Sequence, residues 1–400
     1  MNLSRSGQRL TDFNRGASVV SVRALPRVRL ARPAGDAAGT SAAYLPAAGQ
    51  FESWREGLRR SVLGELAEFV SARCADELRD CGVEPAGEIL LTFVEGGKCL
   101  RSTFMYLGWL CGAPPSDAAL SATASLELLH TFALLQDDVM DDSPSRRGRP
   151  AAHLQFADWH RQRGMSGPSR RFGESAAVLL GDLCLIWAEQ MLRESGLKRH
   201  QLQRAWPRYD AMRTELAVGQ FADLTLDLRN LPTIEAVLGV ARMKSGNYTV
   251  RRPLEIGAAM AGCDEHTLAR LGEYGCAIGE AFQLRDDILG IFGSPDTTGK
   301  PNGGDLLEYK ATSVLVAAYE LADASTRRQF GELMNTEPLD DAALDHWRGL
   351  IFATGAVQWI EELITTRVDI ARKALDSSGI DHLIRAALLD MAGVCTRRAA

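Results

Sequence analysis

Apolar residues recur at intervals of three and four positions from Gln50 almost to the end of this chain, and this spacing constrains its fold more than any other feature. Side chains three or four positions apart lie on one face of an α-helix. No alternating pattern typical of β-strands accompanies it. The hydrophobic content of 46% over 400 residues is ample for one large core. We therefore predict an all-α protein, built as a single large helical bundle.

Glycine and proline residues divide this periodic region into predicted helices. The predicted helices span residues 50–81, 86–112, 116–142, 151–163, 174–195, 199–229, 233–262, 265–292, 304–322, 340–377 and 380–396. Several of them exceed the usual helix length of about 12 residues, which is typical of a bundle.

The first 46 residues differ from the rest, because they hold seven arginines and two aspartates with no sustained period. We predict that residues 1–46 form a disordered basic arm and that residues 47–400 form the folded domain. A transit peptide is an alternative interpretation of the arm, since the arm is rich in arginine and poor in acids. A misplaced start codon is another.

The formal net charge of −6 argues against a general binder of nucleic acid or of an anionic membrane surface. The eight cysteines lack metal-ligand spacing, which indicates reduced thiols in a cytoplasmic protein. No apolar run approaches the roughly 20 residues of a membrane span, and the first residues lack the apolar core of a signal peptide. We therefore expect no transmembrane segment and no secretion.

An acidic stretch at residues 130–150, HTFALLQDDVMDDSPSRRGRP, carries the first chemical signal. On a helix its four carboxylates would span about 140° of one face, where they repel one another. Mg²⁺ takes hard oxygen ligands of this kind, and guanidinium groups suit phosphate. A solvated acidic helix end followed by a basic loop is the alternative. The acids are Asp137, Asp138, Asp141 and Asp142, followed by Arg146 and Arg147.

A second acidic pair, Asp286 and Asp287, ends the predicted helix at residues 265–292. Gln283 falls between these two aspartates on the same helix face. Two helices that each carry acids near one end would form a metal site if they faced each other in a bundle. Neither pair is specific alone, but together they favour metal binding.

Basic residues supply the counterpart of these acids. Gly96 and Gly97 precede Lys98 and Arg101 at the opening of an apolar helix, a pattern that suits a diphosphate. His130 lies about 20° from Asp137 on the same face, although a buried core histidine is the ordinary interpretation. Three further lysines are each more often solvated than ligand-binding. They are Lys244, Lys300 and Lys310.

The ordered series GGKxxR, ELLH, DDxxD with RRGRP, LLGDL, GQFADL, KSGNYT, FQLRDD and TGKPNGGDLLEYK resembles the trans-isoprenyl diphosphate synthases, also called polyprenyl synthetases. The resemblance covers residues 86–320 and is strongest to bacterial geranylgeranyl diphosphate synthases. It implies a helical bundle of the isoprenoid synthase type with a central cavity, assembled as a homodimer. It also implies a prenyltransferase that adds isopentenyl diphosphate to an allylic diphosphate (DMAPP, GPP or FPP).

The resemblance assigns roles to individual residues. About three Mg²⁺ ions would bind the acidic motifs and the allylic diphosphate. The implied metal ligands are Asp137, Asp138, Asp141, Asp286 and Asp287. Isopentenyl diphosphate is assigned to Lys98, Arg101, His130 and Arg147. The allylic diphosphate is assigned to Arg146, Lys244, Lys300 and Lys310, with Gln283 ordering the site.

Several positions depart from the family pattern. The departures are Cys99 for Arg, Ser102 for Pro, Gln136 for His, Gly304 for an acid, Tyr309 for Gly, and Ala311 for Arg or Lys. Gly290 stands where the second acidic motif often ends in Asp, and Asp305 is a candidate for the missing acid. The charged residues of the motifs remain, so we expect an active enzyme.

The residues before the first motif bear on product length. The DDxxD motif has no insertion, and Phe132 with the small Ala133 precedes it by about one turn. In the family this arrangement resembles enzymes that stop at geranylgeranyl diphosphate, and farnesyl diphosphate is the alternative product. The helical wheel places Leu134, rather than Phe132, beneath the acids. The floor of the pocket therefore belongs to one of these two side chains.

Two other functions remain open at the level of sequence. A class I terpene cyclase shares the bundle and the acidic motif, but it needs no second diphosphate site and its NxxxSxxxE motif is not found here. A non-catalytic subunit of a heteromeric prenyl synthase is the other alternative, because the chain departs from the family pattern at Cys99, Ser102, Gln136, Gly304, Tyr309 and Ala311.

Overall fold

Helices dominate the computed structural model, which describes residues 49–78, 82–94, 96–226, 231–293, 304–307, 310–335 and 340–397. The all-α prediction is confirmed. The predicted arm at residues 1–46, the ligand candidate Lys300 and the departure Tyr309 lie outside these described ranges.

The elements follow one another in a simple order. The helices are α1 (Phe51–Arg73), α2 (Glu84–Val94), α3 (Leu100–Leu110), α4 (Asp117–Met140), α5 (Ala152–Gln162), α6 (Ser169–Glu194), α7 (Arg199–Asp223), α8 (Ile234–Ala241), α9 (Arg252–Ala261), α10 (Glu265–Phe292), α11 (Gly304–Leu307), α12 (Ser313–Leu321), α13 (Ala324–Leu333), α14 (Asp341–Ala353), α15 (Ala356–Asp376) and α16 (His382–Thr396). A π-helical turn (Cys74–Leu78) follows α1, and a π-helical segment (Arg242–Arg251) joins α8 to α9. A short antiparallel pair, β1 (Ser145–Arg146) and β2 (Arg149–Pro150), follows α4.

Helix α10 begins and ends where the sequence predicted, but other boundaries differ. The predicted helix 86–112 is two helices, because the chain between them turns at Cys99, which has the left-handed φ of 47°. The predicted helix 340–377 also divides, at Gly355 with φ 80°. The prediction for 304–322 likewise covers two helices, and α13 and the strand pair were not predicted.

Helix α10 connects two apolar cores. Ile278 packs in the larger core, which includes α1, α3, α4, α6, α7 and α9. Two turns or more along the helix, Ile288 packs in a second core with α8, α12, α14 and α15. The Arg285 guanidinium donates to both Glu361 carboxylate oxygens at 2.7 and 2.6 Å, and this fixes α10 to α15. The end of α10 that carries the second acidic pair is therefore held from several sides.

Two helices pass a test of length and apolar composition for crossing a membrane, although the core helices of soluble proteins pass the same test. These are α4 and α6, each with a mean hydropathy of 1.4 over its most apolar stretch. In α4, 61% of that stretch is buried inside the bundle, as expected for a core helix, and in α6 the value is 44%.

Candidate functional site

The first acidic motif lies at the end of α4, where each of its three acids pairs with a cation from a different element. Arg146 on β1 donates through Nε to Asp138 at 2.8 Å, and Asp138 is almost completely buried. Burial opposes the charge of Arg146, but the hydrogen bond and charge of Asp138 outweigh it and raise the pKa of Arg146. The strand pair after α4 therefore places Arg146 next to the acids at the end of that helix.

Lys244, on the π-helical segment, pairs with the next acid. Its ammonium lies 3.4 Å from Asp137 and 2.6 Å from Asp223 on α7. The Gln220 amide also donates to Asp137, at 3.3 Å. Burial lowers the pKa of Lys244, but the two carboxylates outweigh burial and raise it. A Cβ at Gly219 would lie 2.5 Å from the backbone nitrogen of Lys244, so the glycine permits this approach.

Gln220 and Asp223 are site residues to which the sequence reasoning gave no role. Both belong to the GQFADL motif, which was part of the family resemblance. They lie three positions apart on α7 and so share one helix face. That spacing could have indicated a shared role for the two residues. Gln220 contacts Asp137 directly, and Asp223 pairs with Lys244, which also contacts Asp137.

A short segment, from Lys310 to Ser313, contacts both acidic motifs. Lys310 donates to Asp141 at 2.7 Å. Three positions later, the backbone N–H and hydroxyl of Ser313 donate to Asp287 at 3.0 and 2.6 Å. Gln283 donates to the other oxygen of Asp287 at 2.7 Å. The acidic ends of α4 and α10 therefore lie at the same end of the bundle, which is the condition that the sequence analysis set for a shared metal site.

Asp142 does not share the face of the other acids. Helix α4 ends at Met140, and Asp142 has the left-handed φ of 50°. Its carboxylate lies 3.0 Å from Arg170 on α6 and so turns away from Asp137. The expectation of four acids on one helix face is wrong for Asp142, because the helix that would have placed it there has ended.

Gly290 and Asp305 are neighbours in space. A side chain at Gly290 would overlap the carboxylate of Asp305 on α11. Glycine at the fifth position of the second motif therefore leaves room for an acid from a later element. This placement supports the candidate that the sequence suggested for the missing acid.

The acids fit a hard, hydrated cation. Every proposed ligand is a carboxylate oxygen, as Mg²⁺ prefers. Within the described ranges, no three potential ligands converge as a ready-made metal cage. Mg²⁺ commonly takes only one or two carboxylates and leaves its other positions to water and substrate phosphates. An arrangement of separate acids on two helices therefore suits Mg²⁺ with a phosphate ligand better than a closed protein cage.

A second basic group lies beside α3. The Arg101 guanidinium donates to the Thr249 hydroxyl at 3.0 Å and lies 4.2 Å from the centre of the Tyr248 ring. Arg147 donates to the carbonyl oxygen of Phe93 at 2.8 Å and also to that of Gly96. A cavity of about 310 Å³ is lined by Thr92, Phe93, Gly96, Arg146, Arg147, Arg149 and Gln155. Lys98 is exposed just before α3.

His130 lies among these arginines. Its ring centre is 6.3 Å from that of Tyr248. The Nδ1 atom is buried and accepts or donates no hydrogen bond within the described part of the chain. Burial, followed by the charges of Arg101, Arg147 and Arg146, holds the pKa of His130 well below its ordinary value. Both effects favour the neutral imidazole.

Two of the departures make specific local contacts. Ser102 donates to the buried Glu127 through its hydroxyl at 2.6 Å and its backbone N–H at 3.4 Å, and proline has neither donor. Gln136 donates to Asp182 on α6 at 3.3 Å. Two others, Cys99 and Ala311, are buried.

Comparisons of the sequence and of the structure with known proteins both indicate the same family. The model of the polyprenyl synthetase family matches residues 85–349. The geranylfarnesyl diphosphate synthase of Aeropyrum pernix is 30% identical over 295 residues, which is 72% of this chain and 86% of that protein. The geranylgeranyl diphosphate synthase of Mycobacterium tuberculosis is 36% identical over 224 residues, covering 56% of this chain and 58% of that protein.

A solved structure resembles this fold along nearly its whole length. Geranylgeranyl pyrophosphate synthase from Corynebacterium glutamicum, complexed with isoprenyl diphosphate and magnesium, superposes with a TM-score of 0.81 at 33% identity. The match covers 86% of this chain and 99% of that one.

The neutral state of His130 predicts a pH dependence of stability. Between its lowered folded-state pKa and the ordinary value of 6.5, the unfolded chain binds this proton and the folded chain does not. The stability that depends on a neutral His130 is therefore fully present above pH 6.5 and is lost as the pH falls below it. The free energy of unfolding of wild type and His130→Gln can be measured with urea at several pH values from 5 to 8. The slope of that free energy against pH should be smaller in the variant, by up to about 1.4 kcal/mol per pH unit. Equal slopes would contradict a neutral His130.

Proposed function

This chain belongs to the polyprenyl synthetase family, and from that premise we propose that it is a prenyl diphosphate synthase. It condenses isopentenyl diphosphate head-to-tail with an allylic diphosphate. The observation that carries this proposal is the joining of the two acidic helix ends, in which Lys310 pairs with Asp141 and Ser313 with Asp287. A separate basic group beside α3 supports a second diphosphate site, which a one-substrate terpene cyclase would not need.

We assign the allylic diphosphate to the acidic end of the bundle. When bound, about three Mg²⁺ ions would neutralise charge developing on the leaving diphosphate. Asp137 and Asp138 on α4, Asp141 just after it, and Asp286 and Asp287 on α10 would hold these ions. Three cations that now pair with the first motif would turn to phosphate oxygens as the acids take up metal. They are Arg146, Lys244 and Lys310.

We assign isopentenyl diphosphate to Lys98, Arg101, Arg147 and His130. Arg101 stacks on Tyr248 and Arg147 is anchored by backbone carbonyls, so both guanidinium groups are oriented before the ligand binds. Breaking the allylic C–O bond leaves its electron pair on the diphosphate and produces a carbocation. The alkene of isopentenyl diphosphate attacks that carbon, and loss of a proton restores a double bond. Holding both substrates close together supplies much of the rate enhancement.

We further propose that the protein acts as a cytoplasmic homodimer. Leu179 and Ile186 lie seven positions apart on one face of α6, and they are 64% and 58% exposed. A second copy would cover this apolar stripe. Sedimentation of the purified chain tests the dimer, and a monomer at micromolar concentration would contradict it.

We propose geranylgeranyl diphosphate as the main product, with farnesyl diphosphate as the alternative. Relatives that resemble this chain are named for geranylgeranyl and for geranylfarnesyl diphosphate, so the family alone does not set the chain length. Phe132 and Ala133 pack against the larger core, on the helix that carries the first motif. Leu134 is half-buried on the same turn. A growing chain that descends beside α4 would meet one of these side chains.

Removal of one metal ligand should abolish turnover without unfolding the protein. Asp137→Asn and Asp286→Asn are expected to lower kcat by orders of magnitude in an assay with isopentenyl diphosphate and allylic primers, because each loses a metal ligand. Asp142→Asn is the matched control, since this acid pairs with Arg170 outside the site and should retain activity. EDTA should abolish activity and excess Mg²⁺ restore it. Full activity of Asp137→Asn, or an inactive wild type, would contradict the enzyme assignment and favour a non-catalytic subunit.

Truncation of the second basic group should affect one substrate more than the other. Lys98→Ala and Arg101→Ala each lose a charge-assisted hydrogen bond, so the KM of isopentenyl diphosphate should rise by about tenfold to a hundredfold. Lys310→Ala is the comparison, and it should chiefly raise the KM of the allylic primer. Equal increases for both substrates in Arg101→Ala would show that the two sites are wrongly divided.

Product length should depend on the side chain that forms the floor of the pocket. Phe132→Ala is expected to shift the main product to C25 or longer, measured by chromatography of the alcohols after phosphatase treatment. Leu134→Ala is the matched variant on the same turn, with no change expected. If Leu134→Ala lengthened the product and Phe132→Ala did not, the floor would belong to Leu134.

A further inference from the structure

A second cavity lies away from the acidic motifs, with α10 as its floor and with the π-helical segment, α9 and α15 around it. Its volume is about 620 Å³, twice that of the cavity beside Arg147. We call it the Cys276 groove, and its walls include Arg251, Glu255, Leu268, Arg367 and Ile370. Its surface is mostly apolar, yet two arginines reach into it.

Three arginines in or next to the groove, Arg242, Arg251 and Arg367, each donate one hydrogen bond to a glutamate through Nε. Glu280 accepts from Nε of Arg242 at 2.7 Å and from Nε of Arg367 at 2.6 Å. Glu255 accepts from Nε of Arg251 at 2.8 Å. Across the part of the chain that the structure describes, the terminal nitrogens of these arginines donate to no protein group. Pairing at Nε fixes each guanidinium and leaves its terminal fork for an oxyanion.

The carboxylates in the groove are already neutralised. Glu280 takes two arginines, and Glu255 takes Arg251 together with Arg252, whose Nη1 donates at 2.7 Å. Glu273, at the rim, pairs with its helix neighbour Arg270 at 2.6 Å. The charged residues that line the groove are two arginines and three glutamates, and each glutamate is paired with at least one arginine: Arg251, Arg367, Glu255, Glu273 and Glu280. The donors that remain for a ligand are therefore the terminal guanidinium nitrogens of Arg251 and Arg367.

The groove also has a place for an apolar chain. Leu268 and Ala277 on α10 and Ile370 on α15 line it, and Ile370 is 42% exposed. Cys276 also lines the groove and is half-buried. Burial raises the pKa of this thiol, and its charged neighbours are Arg251, Arg242, Glu255 and Glu280. The groove therefore combines an apolar surface with charged groups near a thiol.

We propose that the Cys276 groove binds an amphipathic anion with a phosphate or diphosphate head and an apolar chain. The head lies between the terminal forks of Arg251 and Arg367, and the chain lies along Leu268 and Ile370. The prenyl diphosphates of the proposed reaction have this chemistry, and so do other phosphorylated lipids. The binding proposal itself does not depend on the proposed reaction.

Protection of Cys276 from alkylation tests this site directly. The full-length protein is treated with N-ethylmaleimide, with and without dodecyl phosphate below its micelle concentration, and modification is followed by peptide mass spectrometry. At a ligand concentration about ten times Kd, alkylation of Cys276 should slow about tenfold. Cys263, which follows α9 and lies outside the groove lining, should react at an unchanged rate. Inorganic phosphate and dodecanol, each lacking one half of the ligand, should protect far less.

Variants separate the groove from the acidic site. Arg367→Gln and Ile370→Asp should abolish protection, whereas Arg372→Gln, an exposed change on the same helix, should preserve it. Asp137→Asn should also preserve it, so loss of the proposed activity would not mimic failure of the groove. Stronger protection by geranylgeranyl diphosphate than by dodecyl phosphate would identify prenyl diphosphates as the preferred ligand, and equal protection would indicate phosphorylated lipids in general. No protection of Cys276, or protection that persists in both groove variants, would overturn the proposal.

Discussion

Repulsion among the carboxylates at the ends of α4 and α10 is the constraint on which this end of the bundle depends. Each acid of the first motif has its own cation, drawn from a different element. Arg146 comes from β1, Lys244 from the π-helical segment, and Lys310 from the chain before α12. The strand pair, the π-helical segment and the α11–α12 connection are therefore all required to bring one cation to each acid of the first motif.

In the proposed reaction, this pairing would allow a diphosphate and metal ions to bind without large rearrangement. The acids that now pair with cations are suited to bind metal, and the cations released from them are suited to bind phosphate. The ligand and the metal would therefore exchange partners with groups that are already oriented. Preorganised charge of this kind would lower the barrier to ionisation, because little reorganisation would remain at the moment of reaction.

The sequence was sufficient where local periodicity and charge determine structure. Helix α10 follows its apolar spacing from Glu265 to Phe292, and its acidic end is linked to that of α4 through Lys310 and Ser313. Helix periodicity could not show that Asp142 leaves the helix, because that depends on where α4 stops and on Arg170 from α6. Nor could it show the contact of Ser313 with Asp287, which joins residues 26 positions apart and arises only when the helices pack.

The two adjacent aspartates of the second motif differ in their surroundings. Successive positions on a helix point about 100° apart, so Asp286 and Asp287 face different surroundings. Both oxygens of Asp287 accept hydrogen bonds from Gln283 and Ser313, and burial raises its pKa despite them. These contacts hold the end of α10 against α12. We propose that Asp287 fixes the helix end in this way and that the same carboxylate belongs, with Asp286, to the metal site.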